Sequence, residues 1–444
     1  MNTPTSIRFF DALKFWLKLG FVSFGGPAGQ IAILHRELVQ ERRWISEKRF
    51  LHALNYCMIL PGPEAQQLVT YIGWLMHRTW GGVIAGALFV LPSLFILIGL
   101  SWVYVVFGKL SWIAAVLWGI KPAVVAIVVQ AVHRIGSRAL KNKVLWSMAA
   151  VSFVAIFTLD IAFPAIVLCA AAIVFVGGRI APQWFALGGG HSTSLISQAP
   201  AIIDDATPTP EHAKFRVSRL LQVLALGALL WVLPMGVSYA LWGWDHGLTQ
   251  MGWFFTKAAL LTFGGAYAVL PYVYQAAVTQ FAWVTPTQMM DGLALGETTP
   301  GPLIMIISFV GFLAGYGQAF LGADHALLAG AVAACWVTWF TFLPSFIFIL
   351  AGGPLVESTH NDLNFTAPLT GITAAVVGVM LNLAVFFGYH VIWPAGFAGT
   401  MDVESAALSL AAGLALFRFK RSVIQVIVMC SLVGLLLRGM GALT

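Results

Sequence analysis

The chain has 444 residues, of which 59% are hydrophobic and only 9% charged, with a formal net charge of +7. Soluble domains carry about 25% charged residues, so this composition excludes an ordinary soluble protein and points to the membrane class. There, a positive excess reads as Lys and Arg gathered in cytoplasmic loops rather than as a nucleic-acid footprint.

Residues 7–24 read as an amphipathic or half-inserted helix that stops at Phe24-Gly25-Gly26-Pro27. Pro lacks an N–H and Gly imposes no backbone shape, so this stretch interrupts a helix. Arg8, Lys14 and Lys18 break up the apolar run, and a cleaved signal peptide is not expected. A short helix over 28–38 precedes a charged stretch containing Arg36, Arg42, Arg43, Lys48 and Arg49. Residues 50–60 lead into Pro61-Gly62-Pro63, and residues 65–76 lead out to His77-Arg78. Neither arm reaches the roughly 20 residues of a full span, so two helical hairpins dipping from one side are expected.

Spans are expected over 82–107, 111–133, 144–159 and 160–178, with Arg134, Arg138, Lys141 and Lys143 forming a basic loop after the second. Residues 180–218, with Gly188-Gly189-Gly190, Asp204-Asp205 and several prolines, read as a flexible cytoplasmic linker. The expected layout is a repeat over 1–179, this linker, a connecting helix within 219–250, and a second repeat over 251–444. Inside the second repeat, hairpins are expected at Phe263-Gly264-Gly265 and Pro300-Gly301-Pro302, followed by spans over 326–350, 365–389, 403–417 and 422–437. The four cysteines lie apart in apolar runs, and each reads as a small buried hydrophobe.

The two sets of breaks hold one register: 263 − 24 and 300 − 61 both give 239. Lys18 and Lys257, and Trp44 and Trp283, match at the same offset. Beyond the hairpins the offset becomes 252, pairing Leu91-Pro92-Ser93 with Leu343-Pro344-Ser345 and Gln130 with Asn382. A 13-residue insertion between hairpins and spans accounts for the change. The stretch 35–49 has five Lys/Arg and its partner 274–288 has none; 134–143 has four and 386–395 has none. By the positive-inside rule the halves are therefore expected to be inverted, with the N-terminus cytoplasmic and the C-terminus periplasmic. The fold class expected is an all-α polytopic membrane protein of two inverted-topology repeats with broken hairpins.

Gly/Pro-interrupted segments in matching positions of two halves point to a transporter's binding site. Helix N-termini at such breaks present N–H groups and partial positive charge, which suit an anion. Candidate substrate-binding residues are therefore Phe24, Gly25, Gly26, Pro27, Gln30, Pro61, Gly62, Pro63, Phe263, Gly264, Gly265, Pro300, Gly301 and Pro302, with Lys18 and Lys257 as a cationic pair. Glu64 and Glu297, beside the Pro-Gly-Pro breaks, are the proton-coupling candidates. Asp291 is expected to face external water. No ATP-binding loop, catalytic cluster, metal-ligand spacing or cofactor motif is present, so an enzyme is not expected.

The runs Phe21-Val22-Ser23-Phe24-Gly25-Gly26-Pro27, Gln30-Ile31 and Leu60-Pro61-Gly62-Pro63-Glu64-Ala65-Gln66-Gln67 resemble those of the chromate ion transporter family. So do Thr262-Phe263-Gly264-Gly265 and Thr298-Thr299-Pro300-Gly301-Pro302. The resemblance spans essentially the whole chain and matches the long-chain, two-domain members. The second half departs from the motif, with Ala266 for Pro27 and Val269 for Gln30. The resemblance implies efflux of chromate across the bacterial inner membrane, driven by the proton motive force and giving chromate resistance, with sulfate as the competing anion. Transport of sulfate or another oxyanion, and an oxyanion channel, are the alternative readings. The partners implied are the anion, protons and the lipid bilayer, without nucleic acid; a homodimer is compatible with the sequence and not specified by it.

Overall fold

The computed structural model describes residues 7–24, 26–159, 161–180, 201–205, 207–263, 265–358 and 366–439. Among these residues every regular element is helical, apart from an isolated bridge between Ile45 and Ile203. The first half contains α1 (Phe9–Val22), α2 (Gly26–His35), α3 (Glu47–Ile59), α4 (Glu64–Phe107), α5 (Ser111–Ala139), α6 (Lys143–Leu159) and α7 (Phe163–Ile180). After the connecting helix α8 (Val217–Trp242) come α9 (Gly247–Leu260), α10 (Ala266–Tyr274), α11 (Pro286–Thr298) and α12 (Ile306–Gln318). The chain ends with α13 (Ala326–Ser358), α14 (Thr366–Ile392), α15 (Val403–Phe417) and α16 (Val423–Gly434).

Among the described residues, five helical stretches are long and apolar enough to cross a bilayer: Glu64–Phe107, Ser111–Ala139, Val217–Trp242, Ala323–Glu357 and Gly371–Ile392. The chain is thus an all-α polytopic membrane protein. α13 packs against α4, α8, α9 and α12, while α14 packs against α5, α6 and α7. Large apolar side chains such as Leu221, Leu229 and Leu233 on α8 stay exposed, as a lipid-facing surface requires.

Local structure recurs at the 239-residue offset even where the side chains differ. α2 runs into a π turn over Arg36–Glu41, and α10 into one over Gln275–Gln280. Arg43 and Ala282, the next residues but one, take positive φ of 53° and 49°. Ser46 caps α3 by accepting from the Arg49 N–H, and Thr285 caps α11 by accepting from the Gln288 N–H. Trp44 packs on Phe15 and Trp16 at 4.5 and 5.8 Å between ring centroids; Trp283 packs on Phe254 and Phe255 at 5.8 and 6.0 Å. The 13-residue difference also has a place. α4 kinks at His77 and Arg78 (φ 58° at Arg78), whereas the second half ends α12 at Gln318 and restarts at Ala326.

Three expectations are corrected. α5 does not stop at 133 but continues to Ala139, because Ala131, Gly136 and Ala139 keep a buried stripe going through the basic residues. Arg134 and Arg138 are therefore helical. Second, residues 201–205 and 207–213 of the expected linker are docked on the first half. Ile202 and Ile203 donate to the carbonyls of Arg43 and Trp44, both at 3.0 Å, and Ser46 donates back to Ile203 at 2.9 Å. Arg49 Nη2 donates to the Thr207 carbonyl at 2.5 Å, and the His212 ring meets the Trp74 carbonyl at 2.9 Å. Third, Cys57 and Cys430 are buried, but Cys169 and Cys335 lie on exposed helix faces.

Candidate functional site

The helix breaks close on one another across the two halves. The Gly62 N–H donates to the Thr262 carbonyl at 2.7 Å, and the Gly301 N–H donates to the Ser23 carbonyl at 2.8 Å. Gly62 and Gly301 are equivalent at the 239 offset, as are Ser23 and Thr262. The hydroxyls of Ser23 and Thr262 turn back onto their own helices, donating to Leu19 and Ala258 carbonyls at 2.7 and 2.6 Å. Gly62 and Gly301 take φ of +127° and +95°, a region closed to most side chains. A Cβ on Gly62 would lie 2.4 Å from Ser345 Oγ, and one on Gly301 would lie 3.0 Å from Ser93 Cβ. Ser93 and Ser345 are themselves equivalent at the 252 offset.

Around this junction the remaining motif residues converge. Gln30 is buried and its Nε2 donates to the Gly301 carbonyl, with the Ser23 carbonyl at 3.5 Å. Gly26 and Gly265 have positive φ, and the first breaks of the two halves face each other: a Cβ on Gly265 would sit 3.7 Å from Pro27 Cγ, and one on Gly26 3.9 Å from the Tyr267 ring. Gln67 Nε2 donates to the Pro61 carbonyl at 2.8 Å, while Pro63 and Pro302 precede the helical turns that leave the second breaks. Phe24 and Phe263 are half-buried at the ends of the first segments, and Pro300 is buried. Gly25 and Gly264 lie outside the described residues. Gln66 Oε1, Gln67 Oε1 and Ser93 Oγ are buried with no hydrogen-bond partner among the described residues. Such groups are costly unless a ligand or water meets them.

The carboxylates are less symmetric. Glu297, 6% exposed near the end of α11, accepts a hydrogen bond at Oε1 from the Tyr267 hydroxyl. Tyr267 stands in the first turn of α10, immediately after the Gly265 break. The Arg134 guanidinium lies over the Tyr267 ring, 5.3 Å from its centroid, and its charge bears on Glu297. Sequence alone places Arg134 in a basic loop, because its partners lie 133 and 163 residues away. Glu64 opens α4 half-buried, and no described residue hydrogen-bonds its carboxylate. Asp291 does not face water. It is 2% exposed, accepts from the Tyr104 hydroxyl at 2.9 Å and lies within electrostatic reach of Lys121.

Lys18 and Lys257 are not brought to the breaks. Both lie on exposed faces of α1 and α9, because the opposite faces bury Phe15, Trp16 and Leu19, and Phe254, Phe255 and Ala258. Lys257 Nζ instead rests over Trp253 at 5.8 Å. A separate cavity of about 420 Å3 lies further along α10, lined by Tyr274, Gln275, Asn382 and Tyr389 among others.

Interrupted helices meeting at a buried polar junction, inside a bundle of apolar spans, define a multi-pass membrane transport protein. The chain belongs to the chromate transporter family, which matches residues 10–176 and 249–435. It is 28% identical over 437 residues to a chromate transport protein of Cupriavidus metallidurans, covering 98% of this chain and 94% of that one. It is 33% identical over 393 residues to a chromate transport protein of Pseudomonas aeruginosa, covering 85% and 80%. An uncharacterized transporter of Methanocaldococcus jannaschii is 25% identical over 395 residues, covering 88% and 87%. No solved structure matches the chain.

Proposed function

We propose that the protein is a secondary carrier that exports chromate from the cytoplasm across the inner membrane, driven by the proton motive force, and so confers chromate resistance. The two halves are read as inverted copies related by a twofold axis in the membrane plane, with the N-terminus cytoplasmic. The observation that carries this reading is the reciprocal pair of hydrogen bonds, Gly62 to Thr262 and Gly301 to Ser23, since such an exchange is what a twofold relation produces. The Lys/Arg asymmetry between matched loops supports the inversion.

The anion sits where the breaks meet, among the N-terminal turns of α2, α4 and α10 and the unpartnered Ser93 hydroxyl. Non-helical backbone at bilayer depth is tolerated only where it is buried or lines a cavity, which fits four breaks packed on one another. Glu64 and Glu297 are the groups placed to exchange protons. The electrical part of the driving force suits a dianion: moving two negative charges out of an inside-negative cell gains about 4.6 kcal/mol per 100 mV.

The test is flux of radiolabelled chromate and sulfate in proteoliposomes with imposed potential and pH gradients. Uphill chromate movement that follows the imposed gradient supports the carrier. Sulfate preferred over chromate would reassign the substrate, and purely downhill flux insensitive to proton gradients would make it a channel.

A further inference from the structure

Arg134, Tyr267 and Glu297 come from three different helices, α5, α10 and α11, and meet beside the Gly265 break. Tyr267 is 4% exposed, and its hydroxyl lies about as near as its ring to a Cβ placed on Gly26 of the opposite break. The group has no copy in the other half. At the repeat offsets Tyr267 corresponds to Ala28, Glu297 to Met58 and Arg134 to Phe386. Side chains needed merely to brace a break would be wanted at both breaks; these three occur once.

Their charges conflict with a dianion in one protonation state only. With Glu297 ionised, Arg134 is balanced by the carboxylate and the Tyr267 O–H is committed to it, so an arriving anion meets a like charge. With Glu297 protonated, Arg134 is an uncompensated cation, the phenol is released to donate elsewhere, and the first turn of α10 adds its N–H groups. We propose that Arg134 is the cationic ligand of the transported anion and that it is shared with Glu297, so that anion and proton bind together. Net charge at the junction then changes by one unit on each loading instead of two, so the membrane potential alone drives export, by about 2.3 kcal/mol per 100 mV for the loaded carrier, while the pH gradient opposes the departing proton.

The groups facing Glu297 are few. Tyr267 comes from α10 and Arg134 from α5, and no other titratable side chain among the described residues bears on it. Asp291, with Tyr104 and Lys121, lies six residues earlier on the same helix, about 9 Å along its axis, and forms a separate group.

The proposal rests on the anion-transport reading, and the test separates the two. Equilibrium binding and flux of radiolabelled chromate are measured over about two pH units for the wild type, E297Q, R134Q and R134K. Wild-type affinity is expected to fall about tenfold per pH unit above the titration of Glu297. E297Q, which keeps a neutral acceptor for Tyr267, is expected to bind with a flat pH profile. R134Q is expected to lose at least about tenfold in affinity, with partial recovery in R134K, which restores the charge without the planar fork. A wild-type pH slope that survives in E297Q overturns the proposal, including where R134Q fails to insert. Unchanged affinity in folded R134Q overturns it as well. A wild type that neither binds nor moves chromate or sulfate sinks the transport reading itself; wild-type flux with an unaltered E297Q slope sinks only the shared arginine.

Discussion

Gly62 and Thr262 lie in different halves of the chain, yet the amide of the first donates to the carbonyl of the second across 2.7 Å. Gly301 and Ser23 make the same bond in reverse at 2.8 Å. Each half therefore supplies the acceptor that the other half's break requires, and the junction is a joint product. That mutual dependence frames the behaviour expected of variants.

At the junction, Gly62→Ala and Gly301→Ala both force a side chain into positive φ, at about 1–3 kcal/mol each. Gly62→Ala also drives Cβ to 2.4 Å from Ser345 Oγ and 2.6 Å from Gln67 Nε2, against 3.0 Å from Ser93 Cβ for Gly301→Ala. Both are expected to lower the thermal midpoint and reduce chromate flux, Gly62→Ala more severely. Wild-type flux in both would remove the junction from the transport site.

Gln30 has no polar counterpart in the second half, where Val269 stands. Gln30→Leu deletes the donor to the buried Gly301 carbonyl, a loss of about 1–3 kcal/mol. Thermal unfolding in detergent is the check, and a midpoint equal to wild type would mean that another donor replaces it.

A buried ion pair fastens the segment between the halves. Arg49 Nη1 stands 3.6 Å from Glu357 Oε2, the Tyr71 hydroxyl donates to Oε1 at 2.5 Å, and Arg49 also holds Thr207. Arg49→Ala strands a carboxylate that is 5% exposed and is expected to cost about 3–5 kcal/mol. The double variant Arg49→Met with Glu357→Gln should recover part of that loss. Limited proteolysis within 201–213 should accelerate in Arg49→Ala; an unchanged cleavage rate would show that the backbone pairing with 43–46 suffices.

Asp402 links three helices. It caps α15 through Ser405 and accepts from the Trp118 indole at 3.3 Å and from Arg438 at 3.4 Å, while Arg438 lies 4.1 Å over the Trp118 ring. Partial burial works to raise this carboxyl, but the donors of Ser405 and Trp118 and the Arg438 charge outweigh it and hold it below the usual aspartate range. A folded value below the unfolded one stabilises above the unfolded pKa, and that contribution is lost as pH falls through the folded value. Asp402→Asn keeps a good cap and removes the charge. Its melting temperature should therefore fall below wild type near neutral pH and converge with it in acid; a constant difference across pH would refute the assignment.

Lys18→Ala and Lys257→Ala, singly or together, should leave chromate affinity within about twofold, since both side chains lie on exposed faces. A marked loss in the double variant would return the lysines to the site.

The breaks were legible because Gly and Pro act locally: the helices stop at Val22, Ile59, Leu260 and Thr298, beside the motifs that announced them. The 13-residue insertion was legible for a similar reason, since two offsets must differ by whatever lies between them. What escaped depends on contacts distant in sequence. Arg134 looked like a loop residue because charge marks water until a helix carries it over a tyrosine far along the chain. Asp291 looked solvent-facing for the same cause, with Tyr104 as its unseen partner. The docking of 201–213 turns on pairing with residues 43–46, which composition cannot reveal when Gly, Ser and Pro dominate the surrounding segment.

The exchanged bonds also constrain biosynthesis. When the ribosome has released only the first half, the Gly62 amide and the Ser23 carbonyl still lack their untranslated acceptor and donor, and any such group held in the hydrocarbon region would cost several kcal/mol. The early hairpins must therefore linger near the insertion machinery or at the interface until the later ones arrive. Truncation after α8 is expected to yield a protease-labile intermediate, rescued when the missing portion is co-expressed as a separate polypeptide.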